Sequence, residues 1–321
     1  MKIARNNFAV IGGAGFIGSH ICEELYQRHA GKVVVVDNFS RGKFQNLKLE
    51  KARIDSTLVI ERGDINDLTF LKLVLERYDI KGVFHLAASW LNECYDNPRR
   101  CLHNNAIGTF NVLEACKEME VERLVFSSSA SVYGDQPTEK PIKEDAPYLN
   151  KNLYGATKIA GEHLLRTFYY QHNLSCCALR YMNVYGPRMD MLGAYVGLIP
   201  KALKNIDNNK PIVIAGDGTQ VFDFIYVTDV ARANILMMGY DNFDFVNVGS
   251  GVGHTVNEVV NVLVELYGKS TDIIYDKSLM KPGAVTRRIG SIEKAFLYGF
   301  NSDVSLIEGL RRTIEWHRET K

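Results

Sequence analysis

The sequence predicts an α/β fold: a doubly wound parallel sheet of the Rossmann type with a smaller, mixed α/β C-terminal substrate lobe. Three observations predict it. Apolar runs of strand length alternate with helically spaced segments through the first half of the chain. Gly12, Gly15 and Gly18 form a G-x-x-G-x-x-G turn after the first run. Asp37 closes the second run, nineteen residues beyond Gly18.

Taken in order, Phe8–Ile11 is continuously apolar and reads as a strand covered on both faces. Gly12 allows the tight turn that follows. Gly15 lets the backbone approach a pyrophosphate, and Gly18 lets a helix over Ser19–Ala30 pack against the strand, its N-terminus attracting phosphate charge. Lys32–Val36 is the second strand. Asp37 then stands where a carboxylate accepts the ribose hydroxyls of NAD and repels the extra phosphate of NADP, so the cofactor expected is NAD. Thr57–Glu61, Gly82–Leu86, Arg123–Ser127 and Ser175–Tyr181 supply further strands, with helical spacing between them at Leu68, Leu71 and Leu75 and at Val112, Leu113 and Cys116. From Asn183 the texture changes. Gly186-Pro187 breaks the chain and Gly216-Asp217-Gly218 makes a turn. Short strands (Ile212–Ala215, Phe224–Val227, Phe245–Val248) then mix with helices over Thr255–Tyr267 and Val304–Arg318. The organisation expected is an NAD-binding domain over residues 1–182, rejoined by about 224–250, and a substrate lobe made mainly of 183–321.

Composition narrows the function classes. With 321 residues and 46% hydrophobic content the chain can bury a large core. Its 38 basic and 37 acidic residues nearly cancel, so neither nucleic acid nor a membrane surface is an expected partner. No apolar run reaches the length of a membrane span. Met1–Arg5 is mildly basic ahead of an apolar run, but no small-residue cleavage pattern follows, and a cytoplasmic location is expected. The six cysteines show neither CxxC nor metal-ligand spacing with histidine. They are expected as reduced thiols, with no metal site.

A second cluster carries chemistry. The strand ending near Ser127 runs into Ser128, Ser129, Ala130 and Ser131, at the sheet edge where doubly wound folds bind ligands. Farther on, Tyr154 and Lys158 lie four apart, one helical turn on the same face. Alone, Tyr-x-x-x-Lys is ordinarily an exposed helix pair. Beside a dinucleotide site, a neighbouring ammonium favours the phenolate, making Tyr154 a base, while Lys158 also holds the nicotinamide ribose and Ser129 steadies a developing oxyanion.

With these motifs the chain resembles the extended short-chain dehydrogenase/reductase family, in particular its NAD-dependent nucleotide-sugar epimerases and dehydratases, over almost its whole length. GGAGFIGSH (Gly12–His20), VVDNFSRG (Val35–Gly42), HLAA (His85–Ala88), SSSASVYGD (Ser127–Asp135), YGATK (Tyr154–Lys158) and LRYMNVYGPR (Leu179–Arg188) carry the resemblance, with GDGTQ (Gly216–Gln220). It implies cofactor contacts from Phe16, Ile17, Asn38, Ser40, Arg41 and Ser127. It further implies Asp64 and Ile65 flanking adenine, Leu86, Ala87 and Ala88 on the ribose–pyrophosphate side, and Asn105 and Tyr181 near the nicotinamide half. Asn183 would reach the sugar-nucleotide diphosphate. Relatives also imply a homodimer built on the helix after Asn105 and the helix carrying Tyr154.

Departures from the family pattern sharpen the expectation. Dehydratases carry an acidic pair where this chain has Ala130 and Ser131, and decarboxylating relatives tend to carry Glu at the latter, so both activities lose ground. The arginine that clamps the diphosphate in typical UDP-sugar epimerases is replaced by Phe222, and a second by Lys281. Arg188, Arg287 and Arg288 are the candidates to replace those donors. Trp90, in an altered loop after HLAA, either covers the sugar pocket or packs internally. The resemblance implies an NAD-dependent nucleotide-sugar epimerase acting at C4 through a transient keto-sugar. The alternative is a nucleotide-sugar 4-dehydrogenase or keto-reductase that releases the keto-sugar, with a GDP-linked sugar one candidate substrate.

Overall fold

A computed structural model describes residues 1–47, 50–191, 197–280 and 284–320. In chain order the first half holds β1 (Phe8–Ile11), α1 (Phe16–Gln27), β2 (Val33–Asp37), α2 (Glu50–Ile54), β3 (Leu58–Arg62) and α3 (Leu68–Arg77). These are followed by β4 (Gly82–His85), α4 (Leu91–Asp96), α5 (Pro98–Leu102), α6 (Gly108–Glu118), β5 (Arg123–Ser129), α7 (Leu153–His172) and β6 (Cys176–Tyr181). The second half holds β7 (Asn183–Tyr185), α8 (Leu198–Asp207), β8 (Ile212–Ala215), β9 (Val221–Tyr226), α9 (Val227–Met238) and β10 (Asp244–Val248). The chain ends with β11 (Gly253–Thr255), α10 (Val256–Tyr267), β12 (Ile273–Asp276), β13 (Arg287–Arg288), α11 (Glu293–Leu297) and α12 (Leu306–Glu319).

Seven strands form one sheet in the order β3-β2-β1-β4-β5-β6-β10, the doubly wound α/β arrangement expected. Neighbours from β3 to β6 pair in parallel. Val33–Val36 are buried throughout, as a strand covered on both faces requires. The order reverses at β1, which lies between β2 and β4 with Val10 opposite both Val35 and Phe84. Ligands of such sheets bind beyond the carboxyl ends of the strands at that switch point.

The chain clusters into two compact units. The first comprises Met1–Val132, Asn150–Tyr181 and Ala231–Val246; the second comprises Tyr133–Leu149, Met182–Val230 and Asn247–Lys321. The first has a core of aliphatic side chains from β1, β2, α3, α6 and β5, joined by Leu165 and Phe168 of α7. In the second, α8, α10 and α12 pack around Tyr185 and Tyr226. Its β9 pairs with β7, β11 and β13, while β8 and β12 form a separate ribbon.

Local differences from the sequence reading have local causes. Helix α1 starts at Phe16, not Ser19, because the glycine turn itself ends in an extended Gly15 that opens the helix. Strand β9 starts at Val221, not Phe224, because Val221 pairs with Thr255 of β11, and Val227 opens α9. Strands β7, β11 and β13 are two or three residues long, too short to show a period. The expectation of six reduced cysteines fails at one pair. Asn97 reverses the chain between α4 and α5, bringing Cys94 and Cys101 to a Cα separation of 4.9 Å, and they form a disulfide. Cys22, Cys116, Cys176 and Cys177 are outside any disulfide and buried, and burial pushes the last three thiols up, away from reactivity.

A fully buried ion pair ties α7 to the sheet. Arg180 of β6 donates through Nε and Nη2 to Glu162 at 2.8 and 2.7 Å, and Ser128 Oγ donates to the same carboxylate at 2.6 Å. Removing one member leaves an uncompensated charge in the core. Glu162→Ala is therefore expected to lower unfolding free energy by about 3–5 kcal/mol in urea titrations, well beyond the effect of a surface substitution.

Candidate active site

Three backbone segments converge on the end of β1. Gly12 adopts φ +84° and lies so close to the β4 loop that a Cβ there would stand 2.7 Å from Ala87 N. A Cβ on Gly18 would stand 2.3 Å from Gly12 O, so the α1 start can close on the turn only without a side chain. Leu86 and Ala87 both donate backbone N–H to Ile11 O, at 2.8 and 3.0 Å. Helix α1 has no side-chain cap and no acidic residue in its first turn. Its N-terminal N–H groups and dipole, at Phe16, Ile17 and Gly18, are free to receive phosphate oxygens.

Asp37 lies beside the glycine turn. Its Oδ2 accepts from Ala14 N at 3.0 Å and its Oδ1 from Phe39 N at 2.8 Å, while burial pushes its carboxyl up against those two bonds. A carboxylate offers about four acceptor sites, so two remain for ribose hydroxyls. Asn38 Nδ2 donates to Asp64 at 2.8 Å, and Ser40 N donates to Asn38 Oδ1 at 3.0 Å. Burial pushes Asp64 up, but hydrogen bonds from Asn66 and Asn38 outweigh it and hold the carboxyl low. Ile65 is buried against Gly108 at the start of α6. The cradle fits NAD: an unobstructed helix N-terminus, a turn that excludes side chains, and a carboxylate beside them.

At the end of β5, Ser129 Oγ lies 3.2 Å from Ser131 Oγ and accepts from Ser131 N at 3.1 Å. Helix α7 starts against this turn. A Cβ on Gly155 would stand 2.6 Å from Ser131 O, so the start of α7 packs against this turn only without a side chain there. Asn152 caps the helix by accepting from Gly155 N at 2.8 Å. Lys158 is 3% exposed, donates to Ser127 O at 2.7 Å and lies 5.8 Å from the centroid of the half-buried Tyr154 ring. Burial pulls Lys158 down to about 7, with Glu162 one turn further opposing the shift.

Asn105 and Tyr181 support this centre from beneath. Asn105 lies in a π-helical turn, His103–Ile107. It exchanges two hydrogen bonds with the Ser89 backbone, at 2.7 and 2.8 Å, and donates to Thr157 Oγ1 at 3.1 Å. It thereby ties the β4 loop to α7. Tyr181 pairs with Ser129 across β5 and β6 and donates to Asn234 at 2.8 Å; burial pushes its hydroxyl up, which suits a donor rather than a base. His85, buried below the site and bonded to Thr109 at 3.0 Å, is pulled down to about 3 by burial and by Lys158, so it is neutral. Glu162, Arg180, Thr157 and Asn234 were not singled out from sequence. Only Glu162 had a legible signal, the i+4 continuation of Tyr154 and Lys158.

The second unit holds the remaining candidates. Asn183 Nδ2 donates to Asp223 O at 3.1 Å, and Arg188 is half-buried with φ +67°. Phe222 registers with Arg288 on one side and His254 on the other, so the three share one face of the small sheet. Arg287 projects from the opposite face to Glu139, 3.3 Å away. Lys281 lies outside the described residues. Among the described residues no group of three or more His, Cys, Asp or Glu is placed to hold a metal ion.

Known proteins share this architecture. The NAD dependent epimerase/dehydratase family profile matches residues 8–249. A UDP-glucuronate 4-epimerase of Thermodesulfobacterium geofontis is 34% identical over 322 residues, covering 97% of this chain and 96% of the relative. The UDP-N-acetylglucosamine 4-epimerase from Methanobrevibacter ruminantium, solved in complex with UDP-N-acetylmuramic acid, matches with a TM-score of 0.92 at 34% identity, covering 99% of this chain and 100% of that one. The Thermus thermophilus UDP-glucose 4-epimerase complex with NAD matches with a TM-score of 0.88 at 32% identity, covering 98% and 100%.

The buried lysine makes a pH prediction. Its folded value, about 7, lies below the ordinary 10.5, so between those values the unfolded chain binds more protons and stability rises with pH. Cofactor-free wild type should therefore gain urea resistance relative to Lys158→Met between about pH 7 and pH 9. A pH-independent difference would contradict the burial of an ionisable amine here.

Proposed function

The chain belongs to the NAD-dependent epimerase/dehydratase family, and from that premise we propose that Ser129, Tyr154 and Lys158 are the catalytic residues of a nucleotide-sugar C4 epimerase. It is an NAD-dependent enzyme. The observation that carries the reading is the placement of Tyr154 and a buried Lys158 on one face of α7, against the serine turn at the end of β5. Bound NAD supplies the acceptor, and afterwards the donor, of one hydride. Tyr154, favoured as phenolate by the neighbouring Lys158 cation, takes the C4 hydroxyl proton as that carbon loses hydride. Ser129 donates to the oxygen as it becomes a carbonyl. Tyr154 returns the proton when hydride is delivered to the opposite face of the turned keto-sugar. Ala130 and Ser131 supply no acid pair, so water elimination does not compete.

Gly12, Gly15, Phe16, Ile17 and Gly18 hold the pyrophosphate in this reading. Asp37, Asn38, Ser40 and Arg41 take the adenosine ribose side, Asp64 and Ile65 flank adenine, Leu86–Ala88 line the ribose–pyrophosphate side, and Ser127 and Lys158 line the nicotinamide side. Asn105 and Tyr181 position these groups. A UDP-linked sugar is the proposed substrate, as for the relatives named above. Asn183 and Arg188 take part in binding it, with Phe222 presenting a ring where the diphosphate arginine usually stands. Arg288, sharing the Phe222 face, is the proposed replacement donor, with Lys281 nearby in sequence. The proposed assembly is a cytoplasmic homodimer. Leu102, Ile107 and Phe110 expose apolar surface on α5, the π-turn and α6, and Phe110 packs edge-on against Phe168 of α7.

Incubation with UDP-, GDP-, CDP- and dTDP-sugars should yield a C4 epimer with no accumulating NADH. A stoichiometric rise in NADH with a keto-sugar product would make the protein a dehydrogenase instead. Tyr154→Phe should lower kcat about 10²–10⁴-fold while leaving bound NAD unchanged. Arg288→Ala should raise KM for the nucleotide sugar about 10- to 100-fold with kcat largely kept, and an unchanged KM would remove Arg288 from the substrate site.

A further inference from the structure

Arg41 and Trp90 follow strands on opposite sides of β1. Arg41 leaves the loop after β2, Trp90 the loop after β4, and both strands pair with β1. Strands two places apart lie roughly 9–10 Å from each other, so a contact between these loops has to pass over the end of β1. It does so: the Arg41 guanidinium lies 4.4 Å from the Trp90 ring centroid. A long cationic side chain and a wide ring are the pair that spans such a gap.

Both ends of this bridge are fixed. On the Arg41 side, Ala14 O, in the glycine turn, accepts from Lys43 N at 3.0 Å and from Asn46 Nδ2 at 2.9 Å. A Cβ on Gly42 would stand 2.7 Å from the Asp37 carboxylate, so the backbone beside Arg41 is pressed onto the ribose-binding acid. On the Trp90 side, Ser89 exchanges two hydrogen bonds with Asn105 and its hydroxyl accepts from Asn104 at 2.9 Å. The Cys94–Cys101 disulfide then closes the helical pair that follows. The bridge thus passes over the end of β1, beside the glycine turn.

We propose that the Arg41–Trp90 stack is a strap over the bound dinucleotide, with Trp90 a positioning residue that retains NAD between hydride removal and hydride return. The proposal rests on the reading that NAD lies on the glycine turn. Its chemistry suits that task. The guanidinium, stacked on the ring beside the ribose-binding side of the glycine turn, would offset phosphate charge while the ring excludes water. Release of the dinucleotide then requires the stack to part. Trp90 stands in the altered loop that follows HLAA.

The test reads cofactor release rather than turnover. Protein loaded with NADH is mixed with excess NAD, and loss of nicotinamide fluorescence gives the dissociation rate. A cation–π contact contributes about 0.5–2 kcal/mol, so Trp90→Ala and Arg41→Ala should each speed release about 3- to 30-fold. The double variant should add little to either single change, and Trp90→Phe should restore slow release. In a Trp316→Phe background Trp90 is the sole tryptophan, and its emission should change when NAD binds. Wild-type release rates in both single variants would overturn the strap. Arg41 is exposed, so its variant keeps the test open if Trp90→Ala misfolds. Failure of wild type to bind NADH at all would instead overturn the underlying cofactor reading.

Discussion

The close approach of three backbone segments at the end of β1 is the constraint on which the rest of the first unit depends. Gly12 touches the β4 loop and Gly18 touches Gly12, at distances that any side chain would lengthen. That contact aims the start of α1 at the switch point of the sheet. It also lets Leu86 and Ala87 share Ile11 O, which sets where the β4 loop begins. Asp37, fastened to Ala14 N, then finds its place relative to the same turn. The glycine turn, the placement of the Asp37 carboxylate and the loop that borders them thus come from one packing event.

A second dependence runs down α7. Tyr154, Lys158 and Glu162 occupy successive turns of one face, and the last two are held by the sheet beneath them. Burying an ammonium is costly unless it is hydrogen-bonded and faces opposite charge. Here Ser127 O supplies the bond, while Glu162, itself neutralised by Arg180, opposes deprotonation. The helix therefore carries a buried, hydrogen-bonded amine near its start and a buried ion pair at its middle.

Much of this was legible in sequence because periodicity and glycine spacing act locally. β1, β4, β6 and β8 lie within a residue or two of where the apolar runs place them, and Thr255 and Ser305 cap α10 and α12 near the expected starts. Tyr154 and Lys158 were readable because side chains four apart on a helix share a face. What was not readable depends on register between distant segments. Arg288 beside Phe222 is set by the pairing of β13 with β9, which no local pattern announces. Cys94 and Cys101 meet because Asn97 turns the chain, and their spacing resembles no framework. Asn105, which the resemblance places near the nicotinamide half, has both ends of its buried amide bonded to Ser89 and Thr157, a network set by segments distant in sequence.

The central claim is that one carbon loses and regains the same hydride within a site built around Tyr154 and Lys158. A UDP-hexose carrying deuterium at C4 tests it most directly, with product analysed by NMR. Full retention of deuterium at C4 of the epimer, with none passing to solvent or to added NAD, is the predicted result. Wash-out of the label into solvent, or its appearance in free NADH, would contradict the account.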